Sequence, residues 1–78
     1  MRKIKIQIQN YSTDRMSIIR EPEATEIFIS AGDIIDVETN DEDNILINVG
    51  KNDDGTIYVQ LWDDRNTSII YHKGKEMF

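Results

Sequence analysis

Cysteine is absent from the 78 residues, which removes both a disulfide framework and a thiolate metal site as supports for a small core. Alanine and leucine are also scarce, at two each, and the short apolar runs are built from fourteen isoleucines instead. No window carries the i, i+3, i+4, i+7 apolar spacing of an amphipathic helix over more than one turn. There is no long apolar run, and the chain opens Met1-Arg2-Lys3-Ile4-Lys5. A secretory signal and a membrane span are therefore not expected, and the reading is a cytoplasmic chain that starts at its own Met1. Basic residues are missing from the middle of the chain. Residues 21 to 64 hold thirteen acidic side chains and one basic, Lys51, whereas residues 1 to 20 hold five basic and one acidic and residues 65 to 78 three basic and one acidic. A net charge of −6 concentrated in this way repels phosphate backbones and anionic lipid, which argues against a nucleic-acid or membrane-surface role and for a basic protein partner.

What is present is a repeated period of two. Ile4, Ile6 and Ile8 alternate with Lys3, Lys5, Gln7 and Gln9, the pattern of a half-buried strand. The oxygen-bearing cluster Asn10-Tyr11-Ser12-Thr13-Asp14 is a turn, because such side chains compete for the backbone's hydrogen bonds. A second strand runs from Arg15 to Glu21 and stops at Pro22, which has no N–H to offer a ladder. A third covers Ala24 to Ser30, with Ile27 and Ile29 on one face, and Ala31-Gly32-Asp33 makes the next corner. Ile34 to Thr39 places Ile35 and Val37 inward and Asp36 and Glu38 outward. Asn40-Asp41-Glu42-Asp43-Asn44 is a turn, and Ile45, Ile47 and Val49 mark a fifth strand with an inward apolar face. Asp54-Gly55 joins it as a hairpin to Thr56 to Trp62. There Ile57, Val59 and Leu61 oppose Tyr58, Gln60 and Trp62, and either row could be the inner one. Asp63-Asp64-Arg65-Asn66 leads to Thr67 to His72, and Lys73-Gly74 turns the chain into Lys75 to Phe78.

The expected architecture is a single all-β domain over residues 1 to 78: a small antiparallel β-sandwich or barrel of about seven short strands with little or no helix. The sandwich is preferred because Ile19, Phe28 and Ile34 fall on the nominally outer faces and need cover. A domain of this length buries only about 60 to 65% of its unfolded surface, so self-association is one route to more burial. The order Asn10, Glu21-Pro22, Glu26-Ile27-Phe28-Ile29, Gly32-Asp33-Ile34 and Ile70-Tyr71-His72-Lys73-Gly74-Lys75 resembles a group of short bacterial proteins. They share a first strand, a Glu-Pro corner, a glycine turn and a terminal hairpin. That resemblance implies a layout and no activity.

Catalytic residues are not expected. His72 is the sole histidine, and Ser68, four residues away, would lie about 13 Å off on a straight strand. His72 therefore reads as a surface or edge residue. Asp36 and Glu38 face the same way about 7 Å apart, but a thin sheet protein offers no deep cleft to raise a carboxyl pKa for acid catalysis. Asp41-Glu42-Asp43, Asn52-Asp53-Asp54 and Asp63-Asp64 could converge as oxygen ligands for calcium, yet the spacing of a helix-flanked calcium loop is missing. No metal and no cofactor is expected. The scattered glycines form no phosphate loop, and Tyr58 and Trp62 neighbour acids rather than the bases that single-stranded nucleic acid requires.

Two features remain as a partner-binding surface. One is the acidic block, with Glu26, Asp36, Glu38, Asp41, Glu42 and Asp43 as its candidate contacts. The other is the aromatic pair Tyr58 and Trp62. The expectation is a non-enzymatic module that occludes a basic surface on another protein, as an immunity protein or a phage or bacterial inhibitor does, imitating a nucleic-acid backbone. The alternative is a structural or assembly module acting as a homo-oligomer through its aromatic face.

Overall fold

The computed structural model describes every residue except Met1, Asp64, Asn66 and Phe78. Eight strands follow the alternating segments: β1 Lys3–Gln9, β2 Met16–Glu21, β3 Thr25–Ile29, β4 Ile34–Asn40, β5 Ile45–Lys51, β6 Ile57–Asp63, β7 Ile69–His72 and β8 Lys75–Glu76. They form two four-stranded sheets, β1-β4-β7-β8 (sheet A) and β3-β2-β6-β5 (sheet B). The all-β sandwich expected from periodicity is the observed fold, with one more strand because the last turn closes a β7–β8 hairpin.

The sheets share one core. Met16 and Ile18 of β2, Ile29 of β3, Val59 and Leu61 of β6, Ile35 and Val37 of β4, and Ile70 of β7 are buried together. Ile6, Ile8, Ile27, Ile45 and Ile57 pack on this cluster from its rim. The row Ile57, Val59, Leu61 is thus the inner face of β6, and Tyr58, Gln60 and Trp62 point outward. β-Branched side chains suit this pleated interior, since their restricted χ1 costs little there.

Three expectations need correction. The sheets are not wholly antiparallel, because β2 and β6 pair in parallel, with Ile18 opposite Val59. Period-two patterning fixes which face a strand buries and carries nothing about the direction of its neighbour. The cover expected for Phe28 and Ile34 is also lacking: both lie on outer faces and are exposed, while Ile19 is half-buried. Finally, Ile47 is not a core residue. Strand β5 is the outer strand of sheet B, and its nominally inward Ile47 and Val49 are 37% and 69% exposed. Sheet A does not reach over them.

Side chains tie the corners. Asn10, fully buried, donates through Nδ2 to the carbonyls of Asp14 (2.8 Å) and Ile29 (3.1 Å), and its Oδ1 accepts from the Ser12 amide (3.1 Å) and hydroxyl (2.6 Å). Its own amide donates to Asp33 O and its carbonyl accepts from Gly32 N. Every hydrogen-bonding position of the residue is filled, so it clamps the end of β1 to the end of β3 and to the β3–β4 turn. Gly32 takes φ +85° at that turn, a conformation that needs no Cβ.

Candidate functional site

The outer face of sheet B carries Phe28, Tyr58 and Trp62. In register across the strands lie Phe28, Ser17, Tyr58 and Gly50, then Glu26, Ile19, Gln60 and Asn48, then Glu21, Trp62 and Leu46. Tyr58 lies over Gly50, where an added Cβ would overlap its ring. A glycine in an edge strand thus regains cover from a cross-strand aromatic. Arg15 sits 4.4 Å above the Phe28 ring, a cation–π contact. Gln60 Nε2 donates to Glu21 Oε2 at 2.9 Å. Trp62 remains 42% exposed and Leu46 58% exposed. Beside them, where β2 ends at Pro22, a cleft of about 510 Å³ is lined by Pro22, Asn44, Ile45, Leu46, Trp62 and Asp63.

The sequence candidates do not share one surface. Glu26, Tyr58 and Trp62 are on the outer face of sheet B, whereas Asp36 and Glu38 lie on the outer face of sheet A. Both of the latter are engaged across strands: Gln7 Nε2 donates to Asp36 Oδ1 at 3.0 Å and Lys3 Nζ to Glu38 Oε1 at 3.2 Å. Asp41 and Glu42 are exposed in the turn that leads into β5, where the Asp41 amide donates to the Arg2 carbonyl at 2.8 Å. Asp43 in that turn is a structural residue. Its carboxylate is covered, meets Arg65 Nε at 3.3 Å and accepts from the Thr67 hydroxyl.

Asp63 has a similar structural role. It is buried at the end of β6 and accepts from three backbone amides, Arg65 N (3.1 Å), Thr67 N (2.7 Å) and Ser68 N (2.6 Å). Burial pushes its carboxyl pKa up, and the amide bonds from Ser68, Arg65 and Thr67 outweigh that, leaving it below the usual value. The acidic turns do not all meet at one end of the sandwich. Asp41–Asp43 and Asp63 lie at one end of β5 and Asp53–Asp54 at the other, roughly 20 Å apart along a seven-residue strand. Asp54 binds the Thr56 hydroxyl and amide. Asp64, part of the acidic block in the sequence, is outside the described residues.

His72 is not an edge residue. It lies in β7, between β4 and β8, half-buried, with Nε2 3.1 Å from Asp33 Oδ2. The same Asp33 oxygen accepts from Ser30 N at 3.1 Å, and these two bonds, the Ser30 amide first, hold its pKa below the usual value. The pair spans 39 residues, so adjacency in sequence gave no sign of it. No protein-family model, no curated protein and no solved structure matches the chain.

Proposed function

We propose that this chain is a non-enzymatic, cytoplasmic protein-binding module that occludes a basic surface on another protein, in the manner of an immunity protein or a phage or bacterial inhibitor. The observation that carries the reading is the cleft at Trp62: an exposed indole with Leu46 and Pro22, with Glu21 in register with Trp62 and the exposed carboxylates of Asp41 and Glu42 in the turn that precedes β5. An amphipathic ring beside an apolar hollow is the composition of an interface anchor. The carboxylates favour a partner with Lys or Arg around an apolar centre, and they speed its approach.

The test begins with capture of a partner from the source cells, followed by titration of the purified pair. Association should slow steeply as salt rises from about 0.05 to 0.5 M, because screening shortens the reach of surface charge. Asp41→Lys with Glu42→Lys should lower the on-rate, and Trp62→Ala should raise the off-rate about 30-fold, the effect of losing a hot-spot aromatic worth about 2 kcal/mol. Binding indifferent to salt and to all three substitutions would overturn the proposal. Dissociation of a self-assembled state by Trp62→Ala, with no heterologous partner affected, would instead favour the homo-oligomeric module.

A further inference from the structure

The sandwich leaves four strand edges: β1 and β8 in sheet A, β3 and β5 in sheet B. Three carry the devices that keep edges from pairing. Strand β1 presents Lys3 and Lys5, β8 is two residues long with a lysine and a glutamate, and β3 has Glu26 as its second residue. Strand β5 has none of these over Ile45-Leu46-Ile47-Asn48-Val49-Gly50 and carries a single lysine, Lys51, at its far end. Its inner side is apolar, with Ile47 and Val49 exposed, and its outer side presents Leu46 beside Trp62, followed by Asn48 and Gly50. Alternate amides and carbonyls of an edge strand point away from the sheet, so this one offers a free ladder flanked by an uncovered apolar strip on the inner side and by Leu46 on the outer.

We propose that β5 is a receptor edge that takes an extended segment of the partner as a ninth strand, with apolar residues at its centre and Lys or Arg at both ends. This rests on the reading that the chain captures a basic protein, and it names the mode of capture. The charge pattern selects the occupant. Asp41 and Glu42 stand before β5, and Asp53 and Asp54 follow it, outnumbering the single Lys51 at its last position. A second copy pairing antiparallel through the same edge would set the acidic turn at one end of each β5 against the acidic turn at the other end of its neighbour. Centred on Asn48, for instance, Glu42 would face Asp54. Opposed like charges are destabilising in a sheet, whereas basic ends on an added strand meet carboxylates at both termini. Main-chain hydrogen bonds then supply affinity and the alternate side chains supply selectivity. On the outer side one of those side chains reaches past Leu46 to the cleft at Trp62.

The probe is a synthetic nine-residue peptide with two lysines at each end and alternating valine and threonine between them. A matched peptide carrying glutamates in place of the lysines is the control. The lysine peptide should bind the wild-type chain below about 1 mM, perturb the backbone amides of β5 and leave those of β1 unchanged. The glutamate peptide and the Val49→Lys variant should each weaken binding at least tenfold. Leu46→Lys repeats the block from the other face, and circular dichroism checks that both variants fold. The proposal is overturned if the lysine peptide fails to bind at about 1 mM, if it binds Val49→Lys and Leu46→Lys as well as wild type, or if the glutamate peptide binds equally. It is also overturned if the wild-type chain proves to be a dimer that Val49→Lys dissociates. A captured partner whose binding is weakened by Asp41→Lys with Glu42→Lys, and untouched by Val49→Lys, would leave the acidic-capture reading standing and remove the strand-addition mode alone.

Discussion

Strands β1 and β5 are both seven residues long and both lie at the edge of a four-stranded sheet, yet their side chains follow different rules. In β1 the outward positions are Lys3, Lys5, Gln7 and Gln9, and the inward ones are isoleucines, of which Ile6 and Ile8 pack on the core rim. In β5 the inward Ile47 and Val49 extend past the core and the outward Leu46 is apolar too. Edge charge is the usual way to prevent unwanted pairing. Strand β5 holds one charge, Lys51 at its last position, and the six residues before it are the longest uncharged stretch of any of the four edges, in a chain where 31% of residues are charged.

The largest effect that separates core from edge is truncation of isoleucine. Ile35→Ala, at a wholly buried position in β4, should destabilise the chain by about 2 to 5 kcal/mol. Ile47→Ala should cost less than about 1 kcal/mol, because its surroundings are already open to water. Urea unfolding of the two variants checks the difference, and equal losses would mean that β5 is covered after all.

Next come the anchors that hold the ends of these edges. Asn10→Ala should cost about 1 to 3 kcal/mol by leaving the carbonyl of Ile29 without its partner inside the fold, and it should loosen the end of β1 before β5. Asp63, in register with Ile45 at the start of β5, gives a pH signature. Its folded pKa lies below its ordinary value, so its contribution is complete above the unfolded pKa, near 4. That contribution is lost as pH falls through the lower folded value. Asp33 has the same sign. The urea midpoint should therefore drop on acidification below about pH 4, and Asp63→Asn should flatten part of that drop while lowering stability at neutral pH.

Strand positions were legible in the sequence because alternation survives wherever one face is buried. Ile35 and Val37 against Asp36 and Glu38 needed nothing more, and the glycine corners at Gly32 and Gly55 were likewise local. What escaped were relations between distant residues. The parallel β2–β6 pair, the Asp33–His72 bond and the reach of Asn10 to Ile29 all join segments that no local pattern connects. Ile47 was misplaced for the same reason, since alternation assigns it a face and leaves open whether the opposite sheet extends that far. In the candidate site the sequence left open which row of β6 faces out, and packing on the opposite sheet places Trp62 on the outer face. The separation of Asp36 and Glu38 from it, on the other sheet, depended on topology.

The smallest expected energies come from exchanging the edge rules. Val49→Lys should change stability by no more than about 0.5 kcal/mol, as befits an exposed position. Lys3→Val with Lys5→Val should also leave the fold intact, apart from loss of the exposed Lys3–Glu38 pair. Their effect should appear in association: an unguarded β1 should begin to self-associate in light scattering, while a guarded β5 should stay monodisperse and lose the lysine-ended peptide. Monodisperse behaviour of the β1 variant would show that edge charge is not what keeps these strands apart.

Residue-resolved amide hydrogen exchange, with and without the lysine-ended peptide, tests most directly whether β5 is an open receptor edge. The outward amides of β1 and β5 should exchange rapidly in the free chain, because neither has a partner strand, and the peptide should slow exchange in β5 alone. Outward amides of β5 that are already protected in the free chain, or protection that the peptide spreads equally to β1, would contradict the account.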